Sequence, residues 1–281
     1  MAGMTASVFG AQGFVGRNLV QHLRSRGYEV RSFARGEESW RGSDLGHAFY
    51  AIGLTADFRS RPFETIDAHV SVLSDLLRSA SFTSFVYLSS TRVYARAETT
   101  DEATVIPVQP ADPDDLYNIS KLMGEAACLG SGLKNARVAR LSNVFGEDLG
   151  SSNFLTAVIR EAVDTHCVRL RTGLASEKDY IWIGDVVAAL EAIGTRGTEK
   201  ITNVAYGANT THGEIMDALS KATGARIEID ADAPMVRFPP IATQRLDQLF
   251  TTPRAALVPM IPALTVAFSG QASTRSQYQR R

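Results

Sequence analysis

Apolar residues in the first half of this chain fall into two alternating patterns: short unbroken runs, and longer stretches in which they recur three and four apart. Ala6-Ser7-Val8-Phe9 is a run of the first kind and predicts a short buried strand. Phe14, Val15, Leu19, Val20 and Leu23 then recur at helical spacing until Gly27, which predicts a helix with a glycine stop. Strands are predicted over 28–34, 47–52 and 85–88, with a helix through Ile66, Val70, Leu73, Leu76 and Leu77 and another over 116–127. The pattern continues with a strand over 136–141, a helix over 154–163, a strand over 180–183 and a helix over 185–193. Thr211-His212-Gly213-Glu214 has the spacing of a capping box and predicts a helix start, running to Thr223, and 230–240 reads as loop.

Strand and helix in strict alternation predict an α/β protein, a doubly wound parallel sheet with helices on both faces, whose ligands bind beyond the carboxyl ends of the strands. Gly10, Gly53 and Ser90 all fall at such ends. Residues 35–46 are too few for the strand and helix that a regular unit would place there. The expected organisation is a dinucleotide-binding domain over 1–150 and a smaller C-terminal substrate-binding α/β part over 151–270. Some of the late segments return to the main sheet, and a disordered tail covers 271–281.

Composition narrows the classes. Of 281 residues, 44% are hydrophobic and 21% charged, as in ordinary soluble domains, and the formal charge of −1 comes from dispersed residues apart from Arg275, Arg280 and Arg281. Nucleic acid is therefore not an expected partner. Cys128 and Cys167 lack metal-ligand spacing, so both are expected as buried reduced thiols in or at the end of helices, with no metal. No apolar run approaches the ~18 residues of a membrane span, and residues 1–5 lack a leader pattern, so the expected location is cytoplasmic and away from the membrane.

Chemistry concentrates in three places. Gly10-Ala11-Gln12-Gly13-Phe14-Val15-Gly16 lies between a predicted strand and helix, where backbone N–H groups and the helix N-terminus can hold a pyrophosphate. Tyr117 and Lys121, four apart, share one helix face, so an ammonium can favour ionisation of a phenol that otherwise titrates near pH ~10. Ser90, 27 residues before Tyr117, can hydrogen-bond a reacting oxygen. At the end of the second strand Phe33-Ala34-Arg35 brings no acidic side chain, and Arg35, helped by Arg31, can pair with a 2′-phosphate. NADP(H) is therefore favoured over NAD(H), against the alternative of a solvated arginine.

These segments, together with Tyr87-Leu88-Ser89-Ser90-Thr91-Arg92-Val93-Tyr94, residues 140–146 and residues 179–187, resemble the extended short-chain dehydrogenase/reductases of the nucleotide-sugar epimerase and dehydratase branch. The resemblance implies a Rossmann-type fold and an NAD(P)-dependent enzyme. It makes Tyr117 the acid/base, Lys121 the group that binds the nicotinamide ribose and lowers the phenol pKa, and Ser90 the hydroxyl polarising the carbonyl, with Thr91 as its fallback. Gly10, Gln12, Gly13, Phe14, Val15, Gly16, Arg35 and Gly53 would contact the cofactor. Asn143, Asn153, Lys178 and His69 would face the substrate, although Lys178 also reads as a solvated loop lysine.

Two departures shape the expectation. His69 stands where relatives carry an asparagine; of its two readings, proton relay or polar core position, a single histidine favours the second. Thr91-Arg92 stand where 4,6-dehydratases carry Asp-Glu, so elimination of water lacks its carboxyl proton donor. The expected activity is hydride transfer at a carbinol or ketone carbon of a nucleotide sugar, of the 4-keto reductase or 4-epimerase type. A short-chain reductase of a non-sugar ketone and a non-catalytic NADP-binding sensor or scaffold are the alternatives. Helices around 64–80 and 114–130 resemble the pair that makes a homodimer contact in the family.

Overall fold

A computed structural model describes residues 4–278 of the chain apart from 35, 56 and 149. In chain order it contains β1 (Thr5–Phe9), α1 (Phe14–Ser25), β2 (Glu29–Phe33), β3 (His47–Tyr50), α2 (Pro62–Ile66), a π-helical turn (Asp67–Ser71), α3 (Val72–Ser79) and β4 (Ser84–Ser90). A 3-10 turn (Thr91–Arg96), α4 (Asp115–Gly130), β5 (Ala136–Leu141), β6 (Asn143–Phe145), α5 (Phe154–Thr165), β7 (Cys167–Leu170) and β8 (Glu177–Trp182) follow. The rest comprises α6 (Ile183–Arg196), β9 (Ile201–Val204), β10 (Asn209–Thr211), α7 (His212–Thr223), β11 (Arg226–Ile229), α8 (Gln244–Leu249) and α9 (Leu257–Tyr278).

Contacts divide the chain into two units. The first holds Met1–Ser142, Ile183–Ala205 and Ile241–Pro253, and the second Asn143–Trp182, Tyr206–Pro240 and Arg254–Arg281. The first is built on a six-stranded sheet in the order β2-β1-β3-β4-β5-β9, every pair parallel. This is the predicted α/β architecture. The chain passes from β1 outward to β2 and then crosses to β3 on the other side, so the order reverses between β1 and β3, where such sheets open a crevice at their carboxyl edge.

Burial explains why the unbroken runs became strands. β4 is buried along six of its seven positions, as a central strand covered on both faces must be, whereas β2, at the edge, buries only Phe33. Helix α1 turns Gly16, Leu19, Val20 and Leu23 inward, the three- and four-residue spacing seen in the sequence. Between β2 and β3, where a strand and helix are missing, Trp40 takes their place on the sheet. It is buried and meets Phe9 edge-on with ring centroids 6.1 Å apart.

The second unit has a three-stranded sheet β10-β8-β6, a parallel pair β11-β7, and a core of Phe145, Leu155, Ile159, Ile215, Leu219 and Ile261 among others. Its strands are only three to six residues long. Of these only β8 has a counterpart in the apolar spacing, displaced: it spans Glu177–Trp182, and Ile183 opens α6. The capping box at Thr211 is present in full, with Glu214 and Thr211 each accepting from the other's backbone N–H. Helix α9, which carries Pro262 within it, enters the segment expected as a tail, and residues 279–281 lie outside the described residues. Cys128 is buried on α4, but Cys167 opens β7 half-buried, with the Arg226 guanidinium 3.8 Å from its sulfur, instead of closing a helix. No helix among the described residues is long and apolar enough to cross a membrane.

Candidate active site

The glycine turn is shaped by close approach. Gly10 has φ 81°, and a Cβ there would stand 2.8 Å from the Ala51 carbonyl, while a Cβ on Gly16 would stand 2.1 Å from the Gly10 carbonyl oxygen. Only glycine lets α1 begin so close to the end of β1. Gly13 caps α1 without a side-chain acceptor, and the first turn carries no acidic residue, so the N–H groups at Phe14 and Val15 and the positive end of the helix are available to an anion. The cradle fits a dinucleotide pyrophosphate. Gln12 and Gly13 are exposed beside it.

At the end of β2 the charge differs from expectation. Arg35 lies outside the described residues. Arg31 donates to the backbone carbonyl of Asp44 and lies 3.4 Å from the Ser7 hydroxyl, so it is engaged in holding the sheet edge. A carboxylate does stand there: Glu37 accepts from the Ala34 N–H at 3.0 Å, and the Ser39 hydroxyl and that amide hold it below the usual carboxylate range. It lies two residues beyond the position that the motif's spacing singles out, brought back by a turn.

The residues around Tyr117 come together from four elements of the first unit. Helix α4 buries a polar stripe, Tyr117, Ser120, Lys121, Gly124, Glu125 and Cys128. Ser90, at the end of β4, stands near enough to the Tyr117 phenol to lower its proton affinity and accepts from the Arg92 N–H at 3.2 Å. Thr91 is buried beside it. Burial raises the phenol above its ordinary value, and the Ser90 hydroxyl and then the Arg92 guanidinium offset this only in part. That guanidinium lies 5.4 Å from the Tyr117 ring centroid and 5.0 Å from that of Phe58.

Lys121 is directed elsewhere. Its Nζ donates to the Leu88 carbonyl at 2.9 Å and lies 5.1 Å from the Tyr87 ring centroid; burial pushes the ammonium down to about 7, with the Glu125 carboxylate acting in the opposite sense. Lys121 and Tyr117 are thus both buried on α4, as their spacing requires, with the amine hydrogen-bonded to the end of β4.

His69 is fully buried in the π turn, its ring edge-on to Tyr117 at 5.4 Å. The Leu54 N–H donates to Nε2 at 3.2 Å, and Nδ1 stands 2.8 Å from the Ser120 hydroxyl, which donates to the Tyr117 carbonyl at 2.9 Å. This network assigns the proton to Nδ1. Burial, and then the Lys121 charge, push the imidazole down to about 2, so it is neutral with both nitrogens engaged, as a polar core position requires. Gly53 lies above this pair: a Cβ there would be 3.4 Å from His69 Nε2 and 3.5 Å from Lys121 Nζ.

The other predicted substrate residues belong to the second unit. Asn143 donates to the Asp179 carbonyl at 2.7 Å and ties β6 to β8. Asn153 caps α5, accepting from the Thr156 N–H at 2.9 Å, and lines a small hollow with Val144, Asp148 and Thr156. Lys178 lies on β8, and with burial its charge pushes His212 down to about 4. Sequence reasoning passed over Ser120 and Glu125, which the three- and four-residue spacing from Tyr117 marks, and treated Arg92 only as a departure.

The fold and this edge of the sheet define a Rossmann-type α/β protein with a dinucleotide cradle. The chain belongs to the NAD dependent epimerase/dehydratase family, whose model matches residues 6–61 and 47–205. It is 28% identical over 146 residues to a dTDP-glucose 4,6-dehydratase of Streptomyces griseus, a stretch covering 50% of this chain and 44% of that relative's length. Among solved structures, a UDP-glucuronic acid 4-epimerase from Bacillus cereus with UDP-glucuronic acid and NAD matches at 16% identity and a TM-score of 0.78, over 95% of this chain and 100% of that one. RMD from Pseudomonas aeruginosa with NADPH matches at 19% identity and 0.78, over 95% and 99%. At these identities the structures speak for the fold.

Proposed function

We propose that this chain is an NAD(P)-dependent oxidoreductase or epimerase acting at a carbinol or ketone carbon of a nucleotide sugar, of the 4-keto reductase or 4-epimerase type. The observation that carries it is the burial of Tyr117 and Lys121 on one face of α4, with Ser90 beside the phenol, at the carboxyl edge of the sheet where such folds bind their ligands. Ser90 and Tyr117 hold the substrate oxygen. Tyr117 takes its proton as the carbinol is oxidised and returns it on reduction. Lys121 holds the ribose beside the reacting carbon, and the α1 N-terminus holds the pyrophosphate. The nicotinamide, when bound, accepts or donates the hydride. Elimination of water is left out of this reading because Arg92 supplies a cation where that reaction needs a carboxyl proton donor.

NADP(H) rests on Arg35, and Glu37 opposes it. Asn143, Asn153 and Lys178 would face the sugar nucleotide. A homodimer through α2, α3 and α4 would cover Phe63, Ile66, Val72 and Met123, all exposed in the single chain; sedimentation of Phe63→Glu as a monomer beside a dimeric wild type supports this, and identical sedimentation removes it.

The deciding experiment incubates purified protein with NADH or NADPH and a panel of nucleotide-linked 4-keto sugars, and with NAD-loaded protein and UDP-hexoses, against Tyr117→Phe. Tyr117→Phe is expected to bind cofactor but lose about 10²- to 10⁴-fold in rate. Equal rates in both proteins would remove Tyr117 from the chemistry.

A further inference from the structure

One short segment of chain runs past both sides of the candidate site. After β3 come Ala51, Ile52, Gly53 and Leu54, and the first two abut the glycine turn: the Ala51 N–H donates to the Phe9 carbonyl at 2.9 Å, and a Cβ on Gly10 would stand 2.8 Å from the Ile52 nitrogen. The far end meets His69. The Leu54 N–H donates to Nε2 at 3.2 Å, while Nδ1–H of the same ring reaches the Ser120 hydroxyl at 2.8 Å, which donates to the Tyr117 carbonyl at 2.9 Å. A single neutral imidazole, with one acceptor and one donor, thus joins the wall of the cradle to the turn of α4 that carries Tyr117.

The π turn that carries this ring is itself held from two sides. Two phenols of the sheet grip it: Tyr50 on β3 donates to the Ala68 carbonyl at 2.8 Å, and Tyr87 on β4 to the His69 carbonyl at 3.4 Å. Helix α4 closes in as well, since a Cβ on Gly124 would stand 2.8 Å from the His69 carbonyl oxygen. Single π turns inside helices are frequent at functional sites, where they re-aim one side chain. Here that side chain is fully buried and edge-on to the Tyr117 ring, and both of its nitrogens are engaged. It has no lone pair left for a substrate proton; what it can do from this place is set distances.

We propose that His69 is a positioning residue that spaces the two sides of the site: Nε2 fixes the 51–54 segment against which the glycine turn packs, and Nδ1 fixes the turn of α4 that presents Tyr117. The inference rests on the reading of the glycine turn as cofactor cradle and of Tyr117 as acid/base. Its two bonds are separable. An asparagine amide overlays Nδ1, so it keeps Ser120 and releases Leu54; a glutamine, one methylene longer, overlays Nε2 with its carbonyl oxygen, so it keeps Leu54 and releases Ser120.

Two measurements test this. In the full ¹⁵N-labelled chain, assigned by triple-resonance NMR, His69 should show the Nδ1–H tautomer and the Leu54 amide should be protected from hydrogen exchange. An Nε2–H tautomer or an unprotected Leu54 amide overturns the proposal, and neither reading needs substrate or cofactor. The second measurement sets affinity for NADH and NADPH, by fluorescence titration, beside turnover of nucleotide-linked 4-keto sugars. His69→Asn should lose about three- to tenfold in dinucleotide affinity, the worth of one hydrogen bond, and less in turnover. His69→Gln should lose more in turnover than in affinity. A merely structural histidine would make both variants fall alike in both readouts, in step with their stability in urea, and that result overturns the proposal, as does an unchanged affinity in His69→Asn. Should neither variant fold, the tautomer and the Leu54 protection of the wild type decide. A chain that binds dinucleotide without turnover still gives the affinity answer, so loss of the enzymatic reading and loss of the His69 role are separately visible.

Discussion

The Glu125 carboxylate grips the Arg140 guanidinium through contacts of 2.6, 3.0 and 3.2 Å, with both side chains buried. Ser89 donates to the same carboxylate at 2.5 Å, and Arg140 continues to the Tyr94 hydroxyl at 2.6 Å, which reaches Asn203 at 2.9 Å. The network ties α4 to β4, β5, β9 and the 3-10 turn beneath the candidate site. Glu125→Leu leaves a buried guanidinium without its carboxylate, at an expected cost of about 3–5 kcal/mol. Urea unfolding measures it, and pairing Glu125→Leu with Arg140→Met should recover part of the loss. A single-variant cost below about 1 kcal/mol would show that the pair does not hold these elements together.

Gly16→Ala puts a methyl group 2.1 Å from the Gly10 carbonyl, so α1 must shift away from β1. Overpacking of this kind costs about 1–3 kcal/mol, and the displaced N–H groups should weaken dinucleotide binding about tenfold, equivalent to ~1.4 kcal/mol. Fluorescence titration with NADH and NADPH reads the affinity. Unchanged binding by a folded variant would show that the cradle is not where the pyrophosphate sits.

Glu37 is ionised beside the end of β2 and would repel a 2′-phosphate held there. Glu37→Gln should therefore raise the affinity for NADPH relative to NADH, by about tenfold for one removed charge at short range, and Arg35→Gln should lower the same ratio. If neither change moves the ratio, the adenosine ribose does not reach this edge of the sheet.

His69 links stability to pH. In the unfolded chain imidazole titrates near ~6.5, while burial and Lys121 push it to about 2 in the folded one. Between those values the unfolded chain binds a proton that the folded chain does not, so this group's contribution is lost as pH falls below ~6.5. His47 and His212, both lowered chiefly by burial, act in the same direction. Between pH ~7 and ~5.5 the wild type should lose about 1 kcal/mol more than His69→Asn. Parallel curves in urea unfolding would mean that His69 is hydrated and free to charge.

The parallel sheet, the glycine turn and the Tyr117–Lys121 helix are all legible in the chain. Each follows from the geometry of one element or of two joined directly: a period of two or 3.6, a turn that admits no Cβ, two side chains one helical turn apart. The short strands of the second unit are not legible, because three or four residues are too few to show alternation. Nor is Trp40 standing in for a missing strand and helix, since one tryptophan in a polar stretch carries no period.

By itself the sequence determined which residues could meet within an element, and so placed Tyr117, Lys121 and the glycine cradle at the carboxyl edge of a sheet. Tertiary structure alone decided what each side chain faces: Lys121 the Leu88 carbonyl, Arg92 the Tyr117 ring, Glu37 the end of β2. The reason is physical. Spacing along one helix is a local dihedral property, whereas a charge set against a side chain of another element depends on how strand, turn and helix pack, which no single stretch of chain encodes.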